Sequence, residues 1–583
     1  MMRVTAAFCI YASQSSSSSY SSSCAYRSHF GPSPFACNVV LCLWSVFATR
    51  LSALRLRHMV FVNADGSRMV ALVIGSGHRV RSLGMFERMH ELGMSTVVVD
   101  GEGSWAHEME VTGVVHKVVV VPGLGQLPQE AELAAAVVDA LRAASIGNVT
   151  GAYNAYNKYL LLTALVAEKL GVVTNSYEAV RRCVFKNETR KCLVAHGLEP
   201  WKSFPCSTTQ DIEQAVGQIA FPAILKPAKG SASVGVVKVF SAEEAVKTFL
   251  EQRAERNTRD EVFLLEEYID GPEFGVEIVM QHGRLLFCSV MDADKQSYGQ
   301  FFQGTGRSFP TAHGHVIEAS VASHCVASVQ ALGLTTGVFD LDVRFSPQCG
   351  VRILEVNARM GGGSVQRMHQ HVYGMDLVEL HLQTCMGISV GHVAHMHPLE
   401  PSMCYEAGWV ESPYSGKVSG IGIDAFAERL RSMFREHPHV LEFVPLCDDG
   451  DAINGYKVPG LPSSLIMVFT KGAEKSFARK HLAGALCAAE ERIADLVEPD
   501  APLAPKVTTS VDAVVTAAVG TAMICAAAAL THPLLFEQVM SPRRRNAPAD
   551  CASIQPFEAL EASAELMPSP VPSPAYPALA VVR

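Results

Sequence analysis

The stretch G-V-F-D-L-D-V-R-F (Gly337–Phe345), followed after S-P-Q-C-G (Ser346–Gly350) by V-R-I-L-E-V-N-A-R-M-G-G-G (Val351–Gly363), carries the strongest signal in the chain. Both arms alternate with the two-residue period of a strand. In the first arm Phe339, Leu341, Val343 and Phe345 share one face, and Asp340, Asp342 and Arg344 the other. In the second arm Leu354 and Val356 share one face, and Glu355 and Asn357 the other. With Pro347–Gly350 as the loop, Val343 pairs with Leu354 and Leu341 with Val356, which closes an apolar face. The same register sets Asp342 opposite Glu355 and Asp340 opposite Asn357. Like charges directly opposite are unfavourable, so this face calls for a cation. Hard oxygen donors suit Mg²⁺ or Mn²⁺. The plainer alternative is a solvated hairpin face, against which stand Asn357, the adjoining Arg359 and the glycine triplet. Arg359 lies one alternation beyond Asn357. Gly361-Gly362-Gly363 leads into Ser364, an N-cap for a helix running to about His371. Arginine beside a helix N-terminus makes an anion site, fit for a carboxylate or a developing oxyanion.

Upstream, F-P-A-I-L-K-P (Phe221–Pro227) reads as a short strand with one lysine, Lys226, near its end. That lysine either snorkels to water or faces an anion. Gly230-Ser231-Ala232-Ser233-Val234-Gly235 follows, with Val236–Val239 as the return strand. Such a small-residue loop lets backbone N–H groups close on phosphate oxygens, and it lacks the G-K-[S/T] ending of a Walker A loop. A plain hairpin tip is the alternative. Then comes L-L-E-E-Y-I (Leu264–Ile269) and Asp270-Gly271-Pro272-Glu273. This strand suits a hinge whose backbone pairs with a flat heterocycle, and Glu273 suits two ribose hydroxyls.

Nearer the start, Met69–Ile74, the turn Gly75-Ser76-Gly77, a helix through Glu91 and Thr96–Val99 closing on Asp100 form a strand–turn–helix–strand unit of a parallel sheet. The two glycines and Asp100 are placed as in a dinucleotide site, but Val80 replaces the third glycine, so an architectural turn is expected. Lys117–Val121, Gln129–Ala144, Asn148–Tyr153 and Leu160–Leu170 complete the layer.

The chain has 583 residues, 49% of them hydrophobic and 18% charged, enough for several cores. A net charge of −9 argues against a general nucleic-acid binder. Sixteen cysteines without any C-x-x-C argue against zinc ribbons and thioredoxin-type motifs, and read as reduced thiols of a cytoplasmic protein. The Ser/Arg-rich, acid-poor start (1–67) reads as a disordered leader or an organellar transit peptide. Ala513–Leu530 is uncharged but alanine-dominated, so a membrane span is not expected. Residues 501–583 read as this Ala-rich helix and a disordered tail. His392, His395 and His397, like His313 and His315, lack acidic partners and read as surface or loop histidines. Ser402–Ile493 reads as a separate α/β piece.

In order and spacing, Lys186, Lys226, the small-residue loop, the Glu-Glu-Tyr-Ile hinge, Glu273, Asp342 and Glu355-x-Asn357-x-Arg359 resemble the ATP-grasp superfamily of carboxylate–amine ligases over about residues 69–497. The segments A-x-x-A-E-K-L-G (Ala164–Gly171) and N-S-x-E-A (Asn175–Ala179) are similar to that family's approach to its nucleotide site. The string E-V-N-A-R-M-G-G-G, with Y-G-M-D-L (Tyr373–Leu377), most closely resembles the branch holding carnosine synthase and bacterial L-amino-acid dipeptide ligases. The resemblance implies an α/β (α+β) ATP-grasp fold in 181–390, behind a Rossmann-like domain in 68–180 and before a C-terminal α/β subdomain in 391–500. It implies that Lys186 and Lys226 contact ATP phosphates, that Gly230–Gly235 (with Ser231 and Ser233) is the lid, that Glu266, Tyr268 and Ile269 meet adenine and that Glu273 holds the ribose. It implies two Mg²⁺ (or Mn²⁺) ions on Asp342, Glu355 and Asn357, with Arg359 and Gly362 stabilising an acyl phosphate and tetrahedral intermediate. Small-molecule carboxylate and amine substrates are expected, nucleic acid is not, and a homo-oligomer stays open. Relatives commonly carry aspartate where Phe185 stands, glutamate where Asp342 stands and histidine where Arg307 stands; the last bears on the acid-substrate pocket. The competing readings are an ATP-grasp ligase of other substrates (D-alanine ligase-like or biotin-carboxylase-like) and a non-catalytic ATP-binding module.

Overall fold

The computed structural model describes residues 61–63, 65–124, 130–154, 156–200, 202–256, 261–298, 301–455 and 463–500. The serine tract, the Ala513–Leu530 run and the Pro-rich tail lie outside these residues. Among the described residues no helix is long and apolar enough to cross a membrane.

Strands β1 (Val70–Ile74), β2 (Ser95–Asp100), β3 (Lys117–Val120) and β4 (Val149–Tyr153) form a parallel sheet in the order β3-β2-β1-β4. Its apolar runs are buried on both faces, as crossover helices require. Ala71 and Val73 enter one core and Leu72 and Ile74 the other. Folded structure already includes Phe61, inside the span expected as leader: it is buried with Met85 and Phe86, and its N–H donates to the Leu92 carbonyl.

A second, antiparallel sheet holds β5 (Ser203–Cys206), β6 (Ala223–Pro227), β7 (Val237–Val239) and β8 (Phe263–Glu267), in the order β5-β8-β6-β7. The third is the largest. Its strands come from β9 (Glu273–Gln281), β10 (Arg284–Tyr298), β11 (Phe301–Phe309), β12 (Gly337–Ser346), β13 (Gly350–Asn357), β14 (Cys404–Glu411), β16 (Val440–Pro445) and β18 (Ser464–Gly472), following the order β13-β12-β9-β10-β11-β14-β18-β16. The strands expected in a separate C-terminal piece therefore continue the central sheet; β11 pairs directly with β14. What is separate is their core: Val410, Phe443, Ile466 and Val468 pack on the helices Ile423–Met433 and Lys475–Glu490. Three short strands, β15 (Gly416–Val418), β17 (Ala452–Ile453) and β19 (Val497–Pro499), close that end.

Strand β9 is buried along its whole length. Its apolar residues Val276 and Ile278 meet Phe339, Leu341 and Val343 of β12 under the helix Gly314–Leu332. Buried carboxylates on such a strand must be paired or hydrogen-bonded, and Glu273 and Glu277 both are.

Candidate active site

The β12–β13 hairpin has the expected register at its key positions: Asp342 opposite Glu355, Leu341 opposite Val356, Asp340 opposite Asn357. It departs one step later. Val343 stands opposite Ile353, not Leu354, because a bulge lifts Leu354 out of the ladder. Ile353 and Val351 take the apolar face instead, and Leu354 lines the cleft. The Leu354 carbonyl, released from the ladder, accepts an Arg190 Nη2–H at 3.0 Å.

Each facing carboxylate has a cation beside it. Lys186 Nζ lies 3.3 Å from Glu355 Oε1, and Arg307 Nη2 lies 3.5 Å from Asp342 Oδ1. Two hard anionic oxygens that must be neutralised, set on one rigid hairpin, are a donor set suited to Mg²⁺ or Mn²⁺. Asn357 is placed differently. Its Oδ1 accepts from Asn157 at 3.1 Å and Arg359 at 3.2 Å, and its Nδ2 donates to Asp340 at 3.2 Å. The Arg359 guanidinium is held by Asn157 Oδ1 (2.6 Å), the Met360 carbonyl (2.7 Å) and Asp340 (3.5 Å).

Below this layer lies a residue the sequence reading passed over. Glu277, fully buried on β9, stands opposite Asp340 and accepts the Gly361 N–H at 3.0 Å. Burial and then the Asp340 charge push its carboxyl well above the usual range; burial and then Asp342 push Asp340 up in turn. Period-two spacing from Glu273 through Gly275 was the available signal for Glu277.

On the nucleotide side Lys186 opens a helix, Lys186–Ala195, and Arg190 sits one turn on, on the same face. Lys226 Nζ lies 2.7 Å from Glu266 Oε2, whose other oxygen accepts from Arg190 Nε (2.9 Å) and Ser203 Oγ (2.9 Å). Glu266, expected to meet adenine, thus spends its side chain inside the protein as the counter-ion of Lys226. Burial opposes its ionisation, but the Arg190 and Lys226 cations hold it at about 2. Burial lowers Lys226 to about 8, with Glu266 working against that fall. Arg344 clamps the hinge: it donates to Glu273 Oε2 (3.1 Å) and to the Ile269 carbonyl (2.7 Å). Tyr268 carries Lys238 Nζ over its ring at 3.6 Å. The small-residue segment joins antiparallel β6 and β7 as a hairpin tip, and the Gly230 carbonyl accepts from Lys186 Nζ at 3.2 Å. Gly235 is required there: its φ is +78°, and a Cβ would lie 3.0 Å from Pro227 Cγ.

These groups converge on one cavity of about 1420 Å³. Lys186, Lys226, Gly230, Ser231, Ser233, Glu266, Tyr268, Ile269, Glu273, Asp342, Glu355, Arg359 and Gly362 line it, as does Arg307. Gly235 and Asn357 stand just behind the lining. The Gly75–Gly77 turn holds no such space: a Cβ on either glycine would lie 2.3 Å from the ring of Tyr159 or Tyr156. Asp100 there is engaged by Ser76 and Ser104. The packing of Tyr159 and Tyr156 is what requires glycine at both positions of the turn. Among the described residues the histidines at 392, 395 and 397 join no metal-ligating cluster; the cluster that does occur is His78, Asp448 and Asp451, of which His78 and Asp451 line the cleft.

The model of a family described as "ATP-grasp domain" matches residues 219–367, the span from β6 through the hairpin and its glycine triplet. This is an ATP-grasp domain. The L-amino acid ligase of Bacillus licheniformis has a structure similar to this chain, with a TM-score of 0.59 and 19% identity over 74% of this chain and 99% of that one. So has the biotin carboxylase domain of Hydrogenobacter thermophilus 2-oxoglutarate carboxylase, solved with MgADP: TM-score 0.52 and 13% identity over 71% of this chain and 89% of the other. In sequence the chain is similar to carnosine synthase 1 of Homo sapiens, 26% identical over 337 residues, which is 54% of this chain and 39% of that protein. The chain thus spans less than half the length of that relative. Beyond the residues matched, the helix Arg79–Glu91 (through Met85 and Arg88), the segment Tyr156–Lys158 after β4 and the strands β14, β16 and β18 also line the cleft.

Proposed function

We propose that this chain is an ADP-forming ligase that joins the carboxyl group of one amino acid to the amino group of another through an acyl phosphate. The observation that carries the reading is the convergence of Lys186, Lys226 and Arg359 with Asp342 and Glu355 in one cleft. We take residues 181–390 as the nucleotide-binding and catalytic domain, with 68–180 before it and 391–500 closing one side.

In the first step a substrate carboxylate oxygen attacks the γ-phosphorus, the bridging P–O bond breaks and ADP leaves. In the second the amine nitrogen attacks the acyl carbon, the C–O bond to phosphate breaks, and phosphate and the amine proton depart. Lys186 and Lys226 lie where they neutralise phosphate oxygens, and positioning with charge neutralisation is most of what such a transfer needs. Glu266 keeps Lys226 charged at neutral pH. Asp342 and Glu355 would hold Mg²⁺, two ions by the family resemblance, which when bound supplies charge neutralisation at the β- and γ-phosphates. Asn357 would join that set through its Oδ1, which accepts from Asn157 and Arg359. Arg359, fixed on three sides, and the Gly362 backbone face the oxyanion that develops at the acyl carbon. The β6–β7 hairpin tip excludes water from the acyl phosphate.

The test is release of ADP and phosphate with Mg²⁺ and a panel of amino-acid pairs, with product mass. A dipeptide mass with one ADP per product supports the reading. ATP binding without turnover of any pair sinks it and leaves a nucleotide-binding module.

A further inference from the structure

We propose that the part of the cleft beyond Gly363 is a side-chain pocket for a bulky apolar amino-acid substrate, walled by Trp409, Val444 and Met467; this assignment rests on the ligase reading above.

Trp409 of β14 stands opposite Met467 of β18, and Met467 stands opposite Val444 of β16. Directly opposed residues of antiparallel strands point to the same face, so these three side chains form one transverse row. Their neighbours Val410, Phe443, Ile466 and Val468 point to the other face, into the C-terminal core. The row looks into the cleft: all three residues line it, as does Leu446. Met467 reaches the glycine triplet, since a Cβ on Gly363 would lie 3.3 Å from its Cε.

The row also continues the catalytic face of the sheet. Arg307 is paired with Ala407, two residues before Trp409 on β14, and so shares its face. At about 4.8 Å between strands and about 3.3 Å per residue, the Cα atoms of Arg307 and Trp409 are roughly 8 Å apart. That is the reach of an amino-acid side chain whose reacting group sits between Asp342, Arg307 and Gly362. Lys226 on β6 and Tyr268 just after β8 belong to the other sheet, so the nucleotide contacts proposed for them are not made by this wall. Trp409 and Val444 are half-buried, an apolar surface that gains by contact with an apolar side chain. A charged side chain placed against Trp409 and Val444 would lose hydration that these two side chains do not replace.

The experiment measures kcat/KM for the full chain, ATP and Mg²⁺ with Leu, Met, Phe, Ala, Asp and Lys, reading phosphate release and product mass. Leu, Met or Phe is expected to exceed Ala and Lys by roughly 10- to 100-fold in one of the two product positions. Trp409→Ala, checked to bind ATP as the wild type does, is expected to erase that ratio. Val444→Asp is expected to raise the relative rate with Lys. Turnover with no preference for apolar side chains, or a preference that both variants leave unmoved, overturns the pocket while leaving the ligase reading intact. Absence of turnover with every pair overturns the ligase reading and the pocket with it.

Discussion

Replacing Glu266 by glutamine tests the nucleotide side of the cleft most sharply. The wild-type carboxylate is 1% exposed and is contacted by Lys226 at 2.7 Å, Arg190 at 2.9 Å and Ser203 at 2.9 Å. Glutamine keeps the shape but leaves two buried cations without their anion. Removing one side of a buried ion pair costs about 3 to 5 kcal/mol, a large part of a typical domain's stability. The effect on function runs through Lys226. Burial already lowers it to about 8, and the Glu266 charge opposes that fall. A phosphate binds the protonated amine, so wild-type ATP affinity falls as pH rises through about 8. Without Glu266 the amine loses its proton at lower pH, and the fall moves toward neutrality. Calorimetric titration of ATP from pH 6 to 9 checks this, alongside urea unfolding. E266Q is expected to be less stable, and weaker for ATP at pH 8 by more than at pH 6. Wild-type stability together with an unmoved pH profile would refute the role given to Glu266; K226M in the same titration should be flat across pH.

Glu355→Gln is expected to abolish turnover while leaving unfolding by urea little changed, since the side chain is 21% exposed and pairs only at the cleft surface; Mn²⁺ titration followed by electron paramagnetic resonance should show weakened ion binding, and full activity would remove Glu355 from the metal set. Gly77→Ala meets the Tyr156 ring at 2.3 Å from a backbone with φ of +68°; a loss of roughly 1 to 3 kcal/mol by urea unfolding is expected, and a neutral outcome would contradict the packed turn. His369 and His381 are buried neutral, their pKa lowered by burial to about 4 in each. Below about 6.5 the unfolded chain takes up protons that the folded chain refuses, so stability is intact above that pH and lost progressively toward pH 4. Urea midpoints at several pH values should show this slope, and H369Q should reduce it. Glu277→Leu is expected to free the Gly361 N–H and lower kcat more than ATP affinity, read by comparing kcat with ATP titration.

The hairpin was legible because Phe339, Leu341, Val343 and Val356 alternate with the polar residues, and Asp342, Glu355, Asp340 and Asn357 fall where that alternation puts them. The slip at Leu354 had one mark in the sequence, Val351 and Ile353, which strict alternation leaves on the face of Glu355. No glycine or proline marks it, and what holds it is Arg190, 164 residues earlier in the chain. Glu266 read as a hinge residue because its partners Lys226 and Arg190 reach it across strand neighbours that are distant in sequence. The same limit hid the joining of β14 to β11: an amphipathic strand states which face it buries, not which edge it meets. The roles of Glu277 and Asn157 likewise depend on what lies beneath and across from them.

The separation into sheets has a mechanical consequence. Asp342, Arg307 and Trp409 stand on one hydrogen-bonded sheet, so strand spacing fixes their mutual distances. Lys226 and the β6–β7 tip stand on another, and the short span between β8 and β9 connects the two. Jaw-like widening would therefore carry the triphosphate-gripping amine away from its acidic counterparts while the ruler between reaction centre and side-chain wall keeps its length.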